Sequence, residues 1–324
     1  MQTKLLVIIL FFSFHFYAQE ETDTGEAYNI SLTNVNKNVY MLKGKGGNMG
    51  LSIGDDGVFM IDDQFAEGIP FILKKIRKIS KKPVKYVVNT HHHPDHVGGN
   101  VLMTKEGATI VSHENARKHL EGVRGNESKK VDKNILPTIA ITEDLTFYFN
   151  GEKIMIFHVH NAHTDGDVMV YFTKSNVLHT GDAFVNGVYP FIDHKSGGSL
   201  QGYYEGLNKI SMMVNEDTKI IPGHGDLATP QDVKNSLNML TVIWKRVSHL
   251  YTNKKSVEEV IALNDFTNEF DEKGYGSGFI STEKFIRAVY KDLEIENGPI
   301  DNRTMEQRLQ DQLKEQKANK NKRN

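Results

Sequence analysis

The stretch Thr90-His91-His92-His93-Pro94-Asp95-His96 places four histidines and one carboxylate within seven residues. It follows directly on Pro83-Val84-Lys85-Tyr86-Val87-Val88-Asn89, which reads as a strand. Alternate side chains of an extended segment share a face, so His91 and His93 point together while His92 points away. Beyond the turn at Pro94, Asp95 and His96 reach towards a second point. Two ligands near one point and two near another are the start of a two-metal site, and imidazole with carboxylate suits zinc. The competing reading is a surface histidine run, but an aspartate interleaved at this spacing is not the form such runs take.

Composition narrows the setting. The chain has 324 residues, about twice the usual domain length, yet α/β folds of this size often form one domain. Its 39 Lys plus Arg nearly balance 41 Asp plus Glu, so no basic field points to nucleic acid and no acidic excess points to disorder. There is no cysteine, hence no disulfide and no thiolate ligand. Any metal must be held by carboxylates and by some of the 14 histidines.

Lys4 precedes the apolar run Leu5-Leu6-Val7-Ile8-Ile9-Leu10-Phe11-Phe12, which extends to about Tyr17 and is short for a membrane span. With Ala18 ahead of Gln19 it reads as a secretory signal over residues 1–18, making the protein exported, periplasmic or secreted. A retained N-terminal anchor is the alternative; if the signal is cleaved, no stable membrane insertion is expected. Residues 19–27 form a polar segment, 28–300 the folded domain, and 301–324 a polar tail rich in Gln and Lys.

Within the domain, short strands come first. Leu51-Ser52-Ile53 and Val58-Phe59-Met60-Ile61 are joined through Gly54-Asp55-Asp56-Gly57 as a hairpin, and Asp62 and Asp63 follow. The glycines at 44, 46, 47 and 50 open no helix, which argues against a nucleotide loop there. Ile69, Leu73, Ile76 and Ile79 stripe one helix. Five strands lie between Ile139 and His179; two polar loops follow strand ends, Asn161-Ala162-His163-Thr164-Asp165-Gly166-Asp167 and Thr180-Gly181-Asp182. Helices are predicted over 200–214, from Pro230 to about Tyr251, over 256–263 and over 281–293; Lys219-Ile220-Ile221 delivers Pro222-Gly223-His224-Gly225. Two strand-rich halves with helices after each fit two sheets packed face to face with helices outside.

The ordered series Asp62, His91-x-His93-x-Asp95-His96, His163, Asp182 and His224 resembles the metallo-β-lactamase superfamily of binuclear zinc hydrolases, over roughly Tyr28 to Leu293. The resemblance implies a four-layer αββα sandwich with the metals at one edge. It implies two zinc ions per chain: His91, His93 and His163 on the first, Asp95, His96 and His224 on the second, and Asp182 between them. Asp62 is expected behind a ligand imidazole. His158 and His160 compete with His163, which is preferred for its place in the polar loop. A hydroxide held by the metals would attack, with Asp95 as the catalytic carboxylate that orients it or shuttles its proton.

Departures from subgroup patterns narrow the substrate. Lactamases with a second-site Cys would need it at Asp182, and their substrate-binding Lys falls on Val185. A bridging Asp182 is more like glyoxalase II, the lactonases and general hydrolases. The expectation is an exported zinc hydrolase acting on an ester, lactone, thioester or β-lactam amide of a small molecule, with no nucleic acid partner. The alternatives are a β-lactamase proper, a mononuclear iron sulfur dioxygenase and a non-catalytic zinc binder. Asn186, Tyr189 and Lys195 are candidate substrate contacts on the loop 184–193, and Gly44 to Met49 a candidate flap.

Overall fold

A computed structural model describes residues 28–122, 131–263 and 265–300, with Gln307 and Lys314 beyond them. The expected signal, residues 1–18, and almost all of the tail lie outside the described residues. Among those described, no helix is long and apolar enough to cross a membrane.

The first half gives strands β1 (Ser31–Asn36), β2 (Val39–Lys43), β3 (Met49–Gly54), β4 (Gly57–Ile61), β5 (Val84–Val88), β6 (Thr109–His113) and β7 (Ile139–Ile141). They form one sheet in sequence order. The β1 to β4 pairs are antiparallel, and β4 to β7 are parallel. The second sheet holds β8 (Leu145–Phe149), β9 (Glu152–Val159), β10 (Asp167–Phe172), β11 (Val177–His179) and β12 (Lys219–Ile221), in the order β12-β11-β10-β9-β8. Helices α1 (Ile69–Ile79), α2 (Pro94–Val97), α3 (Asn100–Lys105) and α4 (Glu114–Leu120) belong to the first half. The second half carries α5 (Leu200–Met213), α6 (Pro230–Thr252), α7 (Val257–Ala262), α8 (Asn268–Asp271) and α9 (Thr282–Asn297).

Strand periodicity sorts side chains into separate cores. In β4, Val58 and Met60 face α1 and α3, packing with Ile69, Ile72, Ile76 and Met103. Phe59 and Ile61 face the other way, into the space between the sheets, where they meet Ile154, Ile156, Val168, Val170 and Phe172. The outer face of the second sheet, with Met169 and Leu178, is covered by α5, α6, α7 and α9. The result is the expected four layers, helix, sheet, sheet, helix. Phe59 anchors the inter-sheet layer, with Phe147 edge-on at 5.2 Å and Phe172 at 6.2 Å. Truncating so enclosed a ring costs about 3–5 kcal/mol.

Helix ends follow the sequence signals. Ser199 accepts from Gly202 N, and Ser256 with Glu259 forms a capping box at α7. Two features escaped sequence reasoning: Pro94 starts a helical turn, α2, rather than a plain bend, and α8 precedes the last helix. The architecture then brings the loops after β4, β5, β11 and β12, and the β9–β10 connection, to one edge shared by both sheets.

Candidate metal centre

That edge gathers every residue of the predicted series. Three groups of side chains each bring their ligand atoms within 4.8 Å of one another: His91, His93 and His163; His91, His96 and Asp182; Asp95, His96 and His224. The expected competitors His158 and His160 stand apart from these groups. The two rings touch each other, and His158 also stacks on His113 at 3.8 Å.

The hydrogen bonds around the imidazoles fix which nitrogen is free. The Thr90 hydroxyl donates to Asp62 Oδ2 at 2.8 Å, so it accepts from His91 Nδ1 at 3.1 Å, and His91 Nε2 keeps its lone pair. His96 Nδ1 donates to Asp62 Oδ2 at 2.8 Å. His93 Nε2 donates to Asp193 Oδ2 at 3.1 Å, and His163 Nδ1 donates to the Phe191 carbonyl at 2.7 Å. Each of these four rings therefore turns its second nitrogen inward. His93 Nδ1 and His163 Nε2 face each other at 2.9 Å. His91 Nε2 is buried with no hydrogen-bond partner, while His96 Nε2 and Asp182 Oδ1 face each other at 3.2 Å. Buried imidazole nitrogens converging with carboxylate oxygens in this way suit a cation.

The electrostatics differ across the cluster. Burial drives His91 well below its ordinary range and His163 down to about 4, so both rings are neutral. Burial opposes a proton on His96 as well, but Asp182 and Asp62 outweigh it and raise that ring. Asp182, with Asp95 behind it, likewise overcomes burial at His224 and lifts it to about 9. Both carboxyls are depressed against their own burial, Asp182 well below its ordinary range by His96 and His224, and Asp95 by its hydrogen bond to His224. His224 Nε2 lies 3.2 Å from Asp95 Oδ2 and 3.5 Å from Asp182 Oδ2.

Local backbone serves the same end. Asp62 and Gln64 have φ of 58° and 59°, a strained left-handed setting for non-glycine residues that turns the Asp62 carboxylate back beneath the site. Asp62 also accepts from Thr90 N at 2.7 Å. Gly47 lies so close to His96 that a Cβ there would sit 2.2 Å from its Cε1, and one on Gly223 would sit 2.0 Å from Asp182 Oδ1. Residues 44–48 are accordingly not a loose flap. Gly47 N donates to Asp95 O at 3.1 Å and Asn48 N to Gly223 O at 2.7 Å, making a strap across the second group.

The substrate-contact expectations fare unevenly. Tyr189 is corrected: its ring is buried and stacked on Phe285 at 4.5 Å, and its hydroxyl donates to Asp271 at 2.9 Å. Asn186 is turned to the Gly225–Asp226 segment, donating to Asp226 O at 3.1 Å, while its backbone N donates to His224 O. Lys195 is exposed on the turn that Asp193 caps. Val185 is buried, its N donating to the Tyr203 hydroxyl at 3.1 Å, so no cation stands at this position. Asp193 and the Phe191 carbonyl were not found from the sequence. They meet His93 and His163 across 100 and 28 residues, and no local pattern signals such pairs.

Comparison with known proteins agrees with this geometry. The family model of the metallo-beta-lactamase superfamily matches residues 42–224. The chain belongs to that superfamily. It is 29% identical over 205 residues to a hydroxyacylglutathione hydrolase of Pelagibacter ubique, covering 59% of this chain and 77% of that one. It is 25% identical over 169 residues to metallo-beta-lactamase IND-1 of Chryseobacterium indologenes, covering 52% and 67%. Among solved structures, a metallo-beta-lactamase from Pontibacter korlensis superposes with a TM-score of 0.55 at 18% identity, covering 65% of this chain and 99% of that chain. This last likeness concerns the fold alone.

Proposed function

We propose that the protein is a zinc-dependent hydrolase with two ions per chain, acting on the carbonyl of an ester or thioester of a small molecule. The observation that carries the reading is the set of four imidazoles whose outward N–H groups are all committed, leaving their second nitrogens aimed at one another and at Asp182. His91, His93 and His163 would hold one ion and Asp95, His96 and His224 the other, with Asp182 between them. Zinc so bound supplies a Lewis acid and lowers the pKa of water to about 7.

The chain's own groups account for the rest. Asp95 is a carboxylate kept ionised by His224, with a side chain one-quarter exposed at the mouth of the site. It is placed to accept a proton from the attacking water and return it to the leaving group. Asp62, buried and taking three hydrogen bonds, locks His96 directly and His91 through Thr90. The strap at 44–48 and Asn186 hold Asp95 and His224 from either side.

Ester or thioester is favoured over β-lactam because buried Val185 offers no cation for a substrate carboxylate, and because a hydroxyacylglutathione hydrolase is among the relatives. The complete second group argues against a mononuclear iron dioxygenase, and the accessible Asp95 against a non-catalytic zinc binder. Export, expected from residues 1–18, belongs to the same proposal and is checked by sequencing the mature N-terminus.

The test is metal content of the purified protein together with hydrolysis of a thioester, a lactone and a chromogenic cephalosporin, with and without chelator. About two zincs per chain and chelator-sensitive thioester or lactone turnover are expected. Turnover of the cephalosporin alone would replace this reading by a β-lactamase, and bound iron with no cleavage of any of the three would end it.

A further inference from the structure

Phe279 is 80% exposed, yet it is not on a loose segment. Its neighbour Ile280 is buried, and Gly278 lies against Val188 so closely that a Cβ would meet Val188 Cγ1 at 3.0 Å. Tyr275 O, just before, accepts from Tyr189 N at 3.0 Å. Lys284 stands over the Phe279 ring at 5.1 Å and donates to its carbonyl at 3.4 Å. The ring is therefore held in water by packed neighbours on both sides. A single exposed apolar side chain is ordinary, but contiguous ones mark a binding surface.

Its direction is set by Phe191. The Phe191 ring lies nearly parallel to His93 at 5.9 Å and edge-on to His163 at 5.6 Å, and it meets Phe279 at 6.1 Å and 81°. Phe191 is itself 38% exposed. An aromatic strip thus runs from the first ligand group out to solvent and ends in a right-angled corner. The family match stops at residue 224, so the far wall comes from chain outside it.

We propose that Phe191 and Phe279 form the acyl-binding subsite of this enzyme and select substrates whose acyl group carries a planar apolar ring. The inference rests on the hydrolase reading above and names its substrate class. A ring bonded one or two carbons from the scissile carbonyl would lie along Phe191 with its edge to Phe279, the offset and edge-on geometries that aromatic pairs favour. A short acyl group such as acetyl leaves the corner empty.

The test compares acetyl and phenylacetyl thioesters of N-acetylcysteamine, which share one leaving group. Released thiol is read directly, because the chain has no cysteine. The zinc-loaded protein should favour phenylacetyl over acetyl at least tenfold in kcat/KM. Phe279→Ala should cut that preference about tenfold, and Phe279→Leu only in part. In parallel, ligand-observed NMR should show phenylacetate binding more tightly than acetate, with the difference reduced by Phe279→Ala. Equal kcat/KM for the two thioesters, or a preference that survives Phe279→Ala, would overturn the subsite. An unchanged preference with loss of self-association in sedimentation would assign Phe279 to a contact between copies instead. If neither thioester is cleaved, the hydrolase reading fails by itself. The subsite then stands if phenylacetate binding depends on Phe279, and falls if it does not.

Discussion

The two halves of the metal centre are built from similar residues and prepared in opposite ways. On the first side, His91, His93 and His163 have outward N–H groups taken up by a hydroxyl, a carboxylate and a carbonyl, and burial keeps His91 and His163 neutral. On the second side, His96 and His224 are drawn to protons by Asp182 and their other carboxylate neighbours, and without metal the group closes into its own ion pairs. The first side waits with lone pairs in place. The second must surrender protons before it can coordinate. Preorganisation of one half and self-compensation of the other lead to different behaviour under mutation and pH.

The sharpest break is His163→Ala, which removes a nitrogen that nothing nearby replaces. Metal content should fall towards one ion per chain, and turnover should drop by more than the roughly 100-fold ceiling typical of outer hydrogen-bond partners. Retention of two ions would mean that another residue ligates. Asp95→Asn comes next. It should keep the fold and the first ion but lower kcat by about 10²–10⁴-fold, the usual range for a proton-transfer group. Near-normal kcat would remove Asp95 from proton transfer.

Asp193→Asn probes the preorganised half alone. It should weaken the tighter metal step by about 10–100-fold in competition with a chromogenic chelator. The weaker step should be left nearly in place; equal weakening of both would erase the contrast between the halves.

The smallest effect is in pH. His224 is raised in the folded protein, so its contribution to the metal-free fold is complete below about pH 6.5 and is lost as pH rises through about 9. Asp182 is depressed, so its contribution is present above its ordinary 3.8 and is lost as pH falls below that. Denaturation midpoints of metal-free protein should therefore decline from pH 6.5 to 9.5. Calorimetry at pH 7 in buffers of different ionisation enthalpy should show proton release at the second metal step and little at the first.

That the residues of this series would gather at one point was legible because metal binding demands particular residue types, and because strand ends place them where turns can be counted. His91 and His93 follow from their spacing in the segment just beyond β5. The layers were legible for a related reason: Val58, Phe59, Met60 and Ile61 alternate between two cores. Tyr189 was misjudged because a loop has no period from which to read its inward face, and the cavity that accepts its ring is made by α8 and α9, more than 80 residues later. Asp193 and Phe279 were invisible for the same reason. Each acts on a residue that the fold, and not the sequence neighbourhood, brings near.

The site straddles the seam between the two sheets, and this sets a timetable for a growing chain. His91, His93, Asp95 and His96 emerge from the ribosome together, whereas His224 follows on the order of ten seconds later, at about 5–20 residues per second. Within that interval His163 and Asp182 also emerge, so the first set can gather while the second stays incomplete until His224. Loading of both sets therefore belongs to the finished polypeptide, after translation has delivered His224.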